Sequence, residues 1–260
     1  METRNAILLS GFTRDYKKTI NKFKKNLRTN EKVDLYICFW DEKGIKKKVK
    51  HPTIKKNDGS CLVMKAWDPT VFIDVEKIKE DYNPTKIKIF DIKFITSIIA
   101  PLAEVIEKSD MTPTGQKFAY HITRTSLMFF MINQTFKLMK EKEIQENISY
   151  KNVARVRTDF VQGGYYPKIN WDKDYSDAIY VGKWNWSGVG KFKLNDHFAI
   201  SSKEKMEIYC NFYNNLLISA SKFKTNEFGS TTSKTTKAWS PEHSLSIYLH
   251  EKGVKWKAIA

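Results

Sequence analysis

Two arginines and an aspartate alternate near the middle of the chain, in the segment Arg155-Val156-Arg157-Thr158-Asp159. Alternate residues of a strand lie on the same face, so these three charged side chains are expected opposite Val156. Charged groups are costly to bury without partners. A diphosphate bound together with Mg²⁺ or Mn²⁺ on Asp159 would provide those partners. The alternative is an internal ladder of Arg–Asp ion pairs on an edge strand.

Two further segments end predicted strands and could contact the same ligand. Ser10 and Gly11 form a turn of small residues that exposes backbone amides, and Arg14 could bind a diphosphate through two hydrogen bonds. Trp40-Asp41 ends the next apolar run, where a base or a ribose would lie. The alternatives are an ordinary strand-to-helix turn with a surface arginine, and a buried tryptophan followed by a turn-forming aspartate.

A carboxylate stands beside a histidine in two places, Asp196-His197 and Glu242-His243. Either carboxylate could deprotonate an acceptor hydroxyl, and either histidine could complete a metal site. Alternatively, Asp196 only caps a turn and Glu242 is only favoured in the first turn of a helix. Of the two carboxylates, Asp196 is the preferred catalytic candidate.

Apolar runs alternate with helical patterns along the chain. Strands are predicted at 6–9, 33–40, 86–90, 152–160, 178–181 and 197–200, and helices at 15–27, 116–140, 203–219 and 242–251, the last opened by Pro241. The chain opens with a strand, a helix and a second strand, an order typical of a parallel sheet. The lysine-rich segment 43–70 is predicted as a surface excursion. We expect an α/β fold with a mainly parallel central sheet flanked by helices, in a single domain over 1–260.

Composition limits the class of protein. The 260 residues are 41% hydrophobic and 13% aromatic, which is enough apolar surface for a folded core. The three cysteines are far apart in the sequence, so neither a disulfide framework nor a Cys-x-x-Cys zinc site is indicated, and a reducing compartment fits best. The apolar runs are too short for a signal peptide or a transmembrane helix. We therefore predict a soluble, cytoplasmic protein.

The net charge of +16 predicts anionic partners. A phosphorylated small molecule, a membrane face and a nucleic acid all qualify. A basic nucleic-acid-binding protein or nuclease would concentrate its lysines in a stripe. Here they are dispersed along the sequence, so no nucleic acid is expected. A non-catalytic sugar-binding or scaffold protein would use the tryptophans without needing the charged strand at 155–159.

The order of these motifs resembles a family of GT-A-like glycosyltransferases, which is found in large DNA viruses, the chlorovirus capsid-glycan enzymes included, and in bacterial surface-polysaccharide loci. The resemblance rests on Ser10-Gly11 with Arg14, Trp40-Asp41, the segment 155–159 in place of an Asp-x-Asp motif, Asn195 to Ser201, and Pro241 to Leu245. Each motif is short, but together they cover most of the chain in the family's order.

The resemblance implies a GT-A fold of the nucleotide-diphospho-sugar transferase type, with a donor half at 1–160 and an acceptor half at 161–260. It implies a hexosyl- or deoxyhexosyltransferase of glycan biosynthesis, which uses a UDP- or GDP-sugar, a glycan or glycoprotein acceptor, and Mn²⁺ or Mg²⁺ on Asp159. A viral member would act in the host cytoplasm. Arg157 departs from the family pattern, because it occupies the first acidic position of Asp-x-Asp. A single carboxylate would then hold the metal.

The remaining candidate residues divide between donor and acceptor. The predicted donor contacts are Ser10, Gly11, Arg14, Trp40, Asp41, Arg124, Arg155 and Arg157, and the predicted acceptor contacts are Trp184, Trp186 and His197. Asp196 or Glu242 would act as the base of an inverting reaction, and a retaining reaction would need none. The literal Asp-x-Asp pattern at 172–174 lies in a lysine-rich loop ahead of a strand, where carboxylates are usually solvated. Asp159 is therefore the predicted metal ligand.

Overall fold

Strands and helices alternate along most of the chain. The computed structural model describes residues 1–13, 16–28, 32–41, 53–55, 61–63, 72–94, 97–98, 116–158, 167–182, 194–216 and 241–259, with the side chains at 53–55, 61–63, 92, 116–124 and 241–243 left outside the description. The strands are β1 (Glu2–Gly11), β2 (Val33–Trp40), β3 (Thr53–Lys55), β4 (Cys61–Val63), β5 (Lys86–Phe90), β6 (Ile148–Arg157), β7 (Ile179–Val181), β8 (Phe198–Ser202) and β9 (Trp256–Ala258). The helices are α1 (Ile20–Asn26), α2 (Val75–Tyr82), α3 (Gln116–Glu146), α4 (Lys203–Cys210) and α5 (Pro241–Glu251).

Seven of the described strands form one sheet in the order β5-β2-β1-β6-β8-β7-β9. The first four are mutually parallel, and β7 pairs with β9 in parallel. Strand β8 is antiparallel to both of its neighbours. The predicted α/β class and mainly parallel sheet are therefore confirmed. Strands from both predicted halves, 1–160 and 161–260, share this sheet.

The central strands are buried on both faces, as the long apolar runs predict for a sheet covered by two layers. Alternate residues such as Ile7 and Leu9 pack with α1 and α2. Ala6 and Leu8 point to the other face, where α3, α4 and α5 pack. We call the first side the α1 face and the second the α3 face.

Local sequence explains where the flanking helices begin and end. Asp74 caps α2, because its carboxylate accepts a hydrogen bond of 2.9 Å from Lys77 N. Asn83 ends the same helix with a φ of 44°, and Asn147 follows α3 with a φ of 51°. The helix predicted at 203–219 is interrupted: α4 ends at Cys210, and a second helical stretch covers 212–216.

Two regions differ from the sequence prediction. The segment 43–70, predicted as a surface excursion, contains an antiparallel pair of strands, β3 and β4, in its described part. Helix α2 and strand β9 were not predicted. None of the described helices has both the length and the apolar composition needed to cross a bilayer.

Candidate functional site

The connections of the sheet place a topological switch point at the carboxyl ends of β1 and β6. The connections from β1 to β2 and from β2 to β5 carry α1 and α2 on the α1 face, whereas the connection from β5 to β6 carries α3 on the opposite face. The chain therefore leaves β1 and enters β6 on different sides of the sheet. Ligands of open α/β sheets bind at such a switch point, beyond the carboxyl ends of the strands.

Two predicted motifs meet at this point. Ser10 lies next to Arg157 in the register of β1 and β6. Gly11 has a φ of 120°, a conformation that L side chains rarely adopt, so glycine is required here by the backbone. The sequence predicted the proximity of these motifs only through the general rule about strand ends.

Threonine hydroxyls join the segments that follow the two strands. Thr158 Oγ1 donates a hydrogen bond to Phe12 O. Thr19 Oγ1 donates to Thr158 O at 3.2 Å and to Tyr16 O at 2.7 Å. These contacts fix the backbone on both sides of the switch point. Sequence reasoning passed over the threonines, although Thr158 stands between the two residues singled out at 157 and 159.

Arg155 and Arg157 project onto the α3 face, opposite Val156, as the alternation predicts. Strand β6 lies between β1 and β8, so the edge strand of the ion-pair alternative is wrong, whereas an internal Arg–Asp pair is present, between Arg157 and Asp196. Arg155 is fully buried. The pKa of the Tyr209 hydroxyl is raised above its ordinary value, mainly because the group is buried. The charge of Arg155 opposes this rise, and the charge of Asp196 adds to it.

Arg157 is paired with a carboxylate from the turn before the neighbouring strand, β8. Its Nη1 atom lies 3.0 Å from Asp196 Oδ2, and the two side chains are 11% and 2% exposed. Asp196 Oδ1 lies 3.4 Å from His197 Nε2. The turn before β8 is capped by Asn195, whose Oδ1 accepts from His197 N at 2.8 Å, so the capping role considered for Asp196 belongs to its neighbour.

Trp40 belongs to the core. Its ring is 1% exposed, stacks on Phe130 at 6.1 Å between centroids, and contacts Phe12 and Phe90. The backbone of Asp41 is hydrogen-bonded directly after the end of β2. Its N donates to Phe90 O, and its O accepts from Ile73 N. The buried-tryptophan interpretation therefore describes this position, and a stacking contact with a base would require the ring to be uncovered.

The Asp-x-Asp pattern lies away from the switch point. Asn152, near the start of β6, donates through Nδ2 to the carbonyl oxygens of Trp171 and Lys173. Asp172 and Asp174 are exposed, and Asp174 accepts from Ser176 N at 2.8 Å. Five residues of strand, about 16 Å, separate Asn152 from Arg157. The prediction that these carboxylates are solvated loop charges is confirmed.

Several predicted site residues lie outside the described residues. These are Arg14, Asp159, Trp184 and Trp186, together with the side chains of Arg124, Glu242 and His243. Their roles stay predictions. In the described part of the chain, no group of three or more His, Cys, Asp or Glu residues could hold a metal ion.

Helix α1 and the turn before it carry a concentrated basic surface, which we call the lysine face. It comprises the exposed residues Lys17, Lys18, Lys22, Lys24 and Lys25. Ile20 and Phe23 anchor the opposite side of the helix in the core. No acidic residue occurs between 16 and 28. The five lysines therefore share the solvent side of this helix and its preceding turn.

Comparison of the chain with protein-family models and with curated proteins found no match.

Proposed function

We propose that this protein is a glycosyltransferase of the GT-A type. It would move a hexosyl or deoxyhexosyl group from a UDP- or GDP-sugar to a hydroxyl group of a glycan or glycoprotein acceptor. The observation that carries the proposal is the arginine at the switch point: Arg157 is held beside Ser10, at the position where open α/β sheets bind their ligands.

The chemistry of sugar transfer needs a cation at this place. The bond between the anomeric carbon and the diphosphate oxygen breaks, and the bond from the acceptor oxygen to that carbon forms. Negative charge grows on the departing diphosphate, and a fixed guanidinium stabilises it. The proton of the acceptor hydroxyl would go to Asp196 or Glu242 in an inverting reaction. A retaining reaction would need no such base.

The proposal includes a divalent cation on Asp159, a residue that lies outside the described part of the chain. Asp159 follows Thr158 directly at the end of β6, and a carboxylate with phosphate oxygens is the hard-oxygen environment that Mg²⁺ and Mn²⁺ take. When bound, the cation would add positive charge against the diphosphate.

The proposal is tested by a thermal-shift screen of nucleotide sugars and nucleoside diphosphates, with and without Mn²⁺. At about 100 times its Kd, a donor that binds only the folded state raises the melting temperature by roughly 5–10 °C. We expect a shift with one donor class that Mn²⁺ enhances in the wild type but not in Asp159→Ala. Absence of any nucleotide shift would contradict the proposal.

The lysine face favours a second candidate, a protein that binds nucleic acid. The five exposed lysines of helix α1 and the turn before it would interact with a phosphate backbone without reading its sequence. Oligonucleotide binding measured by fluorescence anisotropy at about 50 mM and about 200 mM salt tests this candidate. Strong, salt-dependent binding, together with no nucleotide shift, would favour it over the transferase.

A further inference from the structure

Asp196 is poorly placed to act as a base. Its carboxylate is buried, with Oδ2 3.0 Å from Arg157 Nη1 and Oδ1 3.4 Å from His197 Nε2. A general base must come within hydrogen-bond distance of the hydroxyl that it deprotonates. Here the carboxylate faces the cationic group of a neighbouring strand.

The backbone already holds the two partners side by side. Arg157 N donates to His197 O at 3.0 Å, which extends the pairing of β6 and β8 by one residue beyond the Val156–Phe198 pair. Asn195 Oδ1 fixes the turn through His197 N. The side-chain ion pair therefore joins two residues whose main chains are fixed relative to each other, so it can set the direction of the guanidinium.

We propose that Asp196 is a positioning residue, which holds Arg157 in the orientation that binds the diphosphate of the donor. This inference rests on the proposed glycosyltransferase function and assigns a role within the same site. A charge-assisted bond to a carboxylate restricts the planar guanidinium, so less conformational freedom is lost when the phosphate binds. Glu242 is then left as the candidate base.

Three roles for Asp196 predict three different effects on nucleotide affinity. Loss of a base lowers kcat and leaves the affinity for the nucleoside diphosphate unchanged. Loss of a carboxylate that only balances charge raises that affinity, because a negative charge near an anion disappears. Loss of a positioning residue lowers it, although the site has become more positive.

The experiment measures the Kd of UDP and of GDP by isothermal titration calorimetry for wild type, Asp196→Ala, Arg157→Ala and the double variant. We expect Asp196→Ala to weaken binding about 10- to 100-fold, the scale seen when residues that support a binding group are removed. The double variant should bind no more weakly than Arg157→Ala alone, because both changes remove the same interaction. If Asp196→Ala does not fold, Asp196→Asn carries the test, with a smaller loss in the same direction.

Glu143 provides a matched control. It is a buried carboxylate in an ion pair away from the site, with Lys203 at 2.7 Å and Lys140 at 2.9 Å. Glu143→Ala should lower the melting temperature and leave the Kd unchanged. A wild type that binds neither UDP nor GDP overturns the proposed function, and the inference with it. A wild type that binds, with Asp196→Ala binding as well or better, overturns the inference alone.

Discussion

The two ends of strands β1 and β6 carry polar clusters on the same face of the sheet, about 20 Å apart along the strands. The amino-end cluster comprises Arg4, Asp34, Tyr36, Thr85 and Tyr150, and the carboxyl-end cluster comprises Ser10, Arg155, Arg157, Asp196 and His197. Both contain a buried carboxylate. They differ in the groups that hydrogen-bond to that carboxylate: two hydroxyl groups at the amino end, where the Arg4 guanidinium lies farther away at 3.5 Å, and a guanidinium at 3.0 Å at the carboxyl end.

At the amino end, Asp34 accepts hydrogen bonds from hydroxyl groups. Tyr150 donates to Asp34 Oδ2 at 2.7 Å, Thr85 donates to Oδ1 at 3.2 Å, and the Tyr36 and Tyr150 hydroxyls lie 2.5 Å apart. These side chains therefore form hydrogen bonds with one another inside the fold. Such a network specifies which strands pair and needs no ligand.

At the carboxyl end, Asp196 holds a guanidinium, a group with several donors arranged to match phosphate. The cluster also lies at the switch point of the sheet. Under the proposed function, similar polar side chains serve the fold at one end of the strands and ligand binding at the other. Three variants test this difference between the two clusters.

The largest effect is expected for Asp34→Ala at the amino end. The change removes the acceptor of two hydroxyl groups and the partner of Arg4, so the free energy of unfolding should fall by about 3–5 kcal/mol. Urea denaturation measures this loss. The Kd of UDP for the folded variant should equal that of the wild type. A change in that Kd would show that the two clusters are coupled.

The amino-end tyrosines predict a loss of stability at alkaline pH. Burial raises the pKa of Tyr36 and Tyr150 above the ordinary value, and for Tyr150 the hydrogen bonds with Asp34 and Tyr36 add to the effect. Above about pH 10 the unfolded chain releases these protons while the folded protein keeps them. The free energy of unfolding should therefore fall with rising pH, by about 1.4 kcal/mol per pH unit for each tyrosine.

Denaturation at several pH values above 9.5, for wild type and for the Tyr36→Phe/Tyr150→Phe variant, measures this slope. The double variant should be less stable near neutral pH and should lose stability less steeply as the pH rises. Equal slopes for the two proteins would mean that other groups carry the alkaline loss.

A smaller effect is expected for Gly11→Ala at the carboxyl end. The φ of 120° is strained for alanine, whereas no atom of the described residues, its chain neighbours aside, lies within 4 Å of the added Cβ, so the expected cost is that of the backbone. We expect a loss of about 1–3 kcal/mol in the free energy of unfolding. If the turn relaxes instead, stability recovers and the Kd of UDP rises, because the backbone beside Ser10 has moved. Calorimetric melting and titration together separate these outcomes.

Much of the sheet could be predicted from the sequence. The runs at 6–9 and 33–40 are apolar without interruption, a pattern typical of strands buried on both faces. The proline at 241 marked the start of α5. Short or mixed segments were missed, because β9 and the β3–β4 pair have three residues per strand and little periodicity.

The candidate site was predicted less completely. Alternation placed Arg155 and Arg157 on one face, but no local pattern indicates that Asp196, 39 residues after Arg157, pairs with it. The same limit applies to the amino-end cluster, where Tyr36 and Tyr150 are 114 residues apart. Such pairs depend on strand order, which local patterns do not contain.

The sequence by itself determined the α/β class, the buried central strands and the charged face of β6, because these follow from periodicities of two and 3.6 residues within single segments. Only the tertiary structure decided that β6 is interior, that Trp40 is covered, and that Asp196 lies against Arg157. These outcomes depend on which strands become neighbours. That choice is made by packing between segments far apart in the chain.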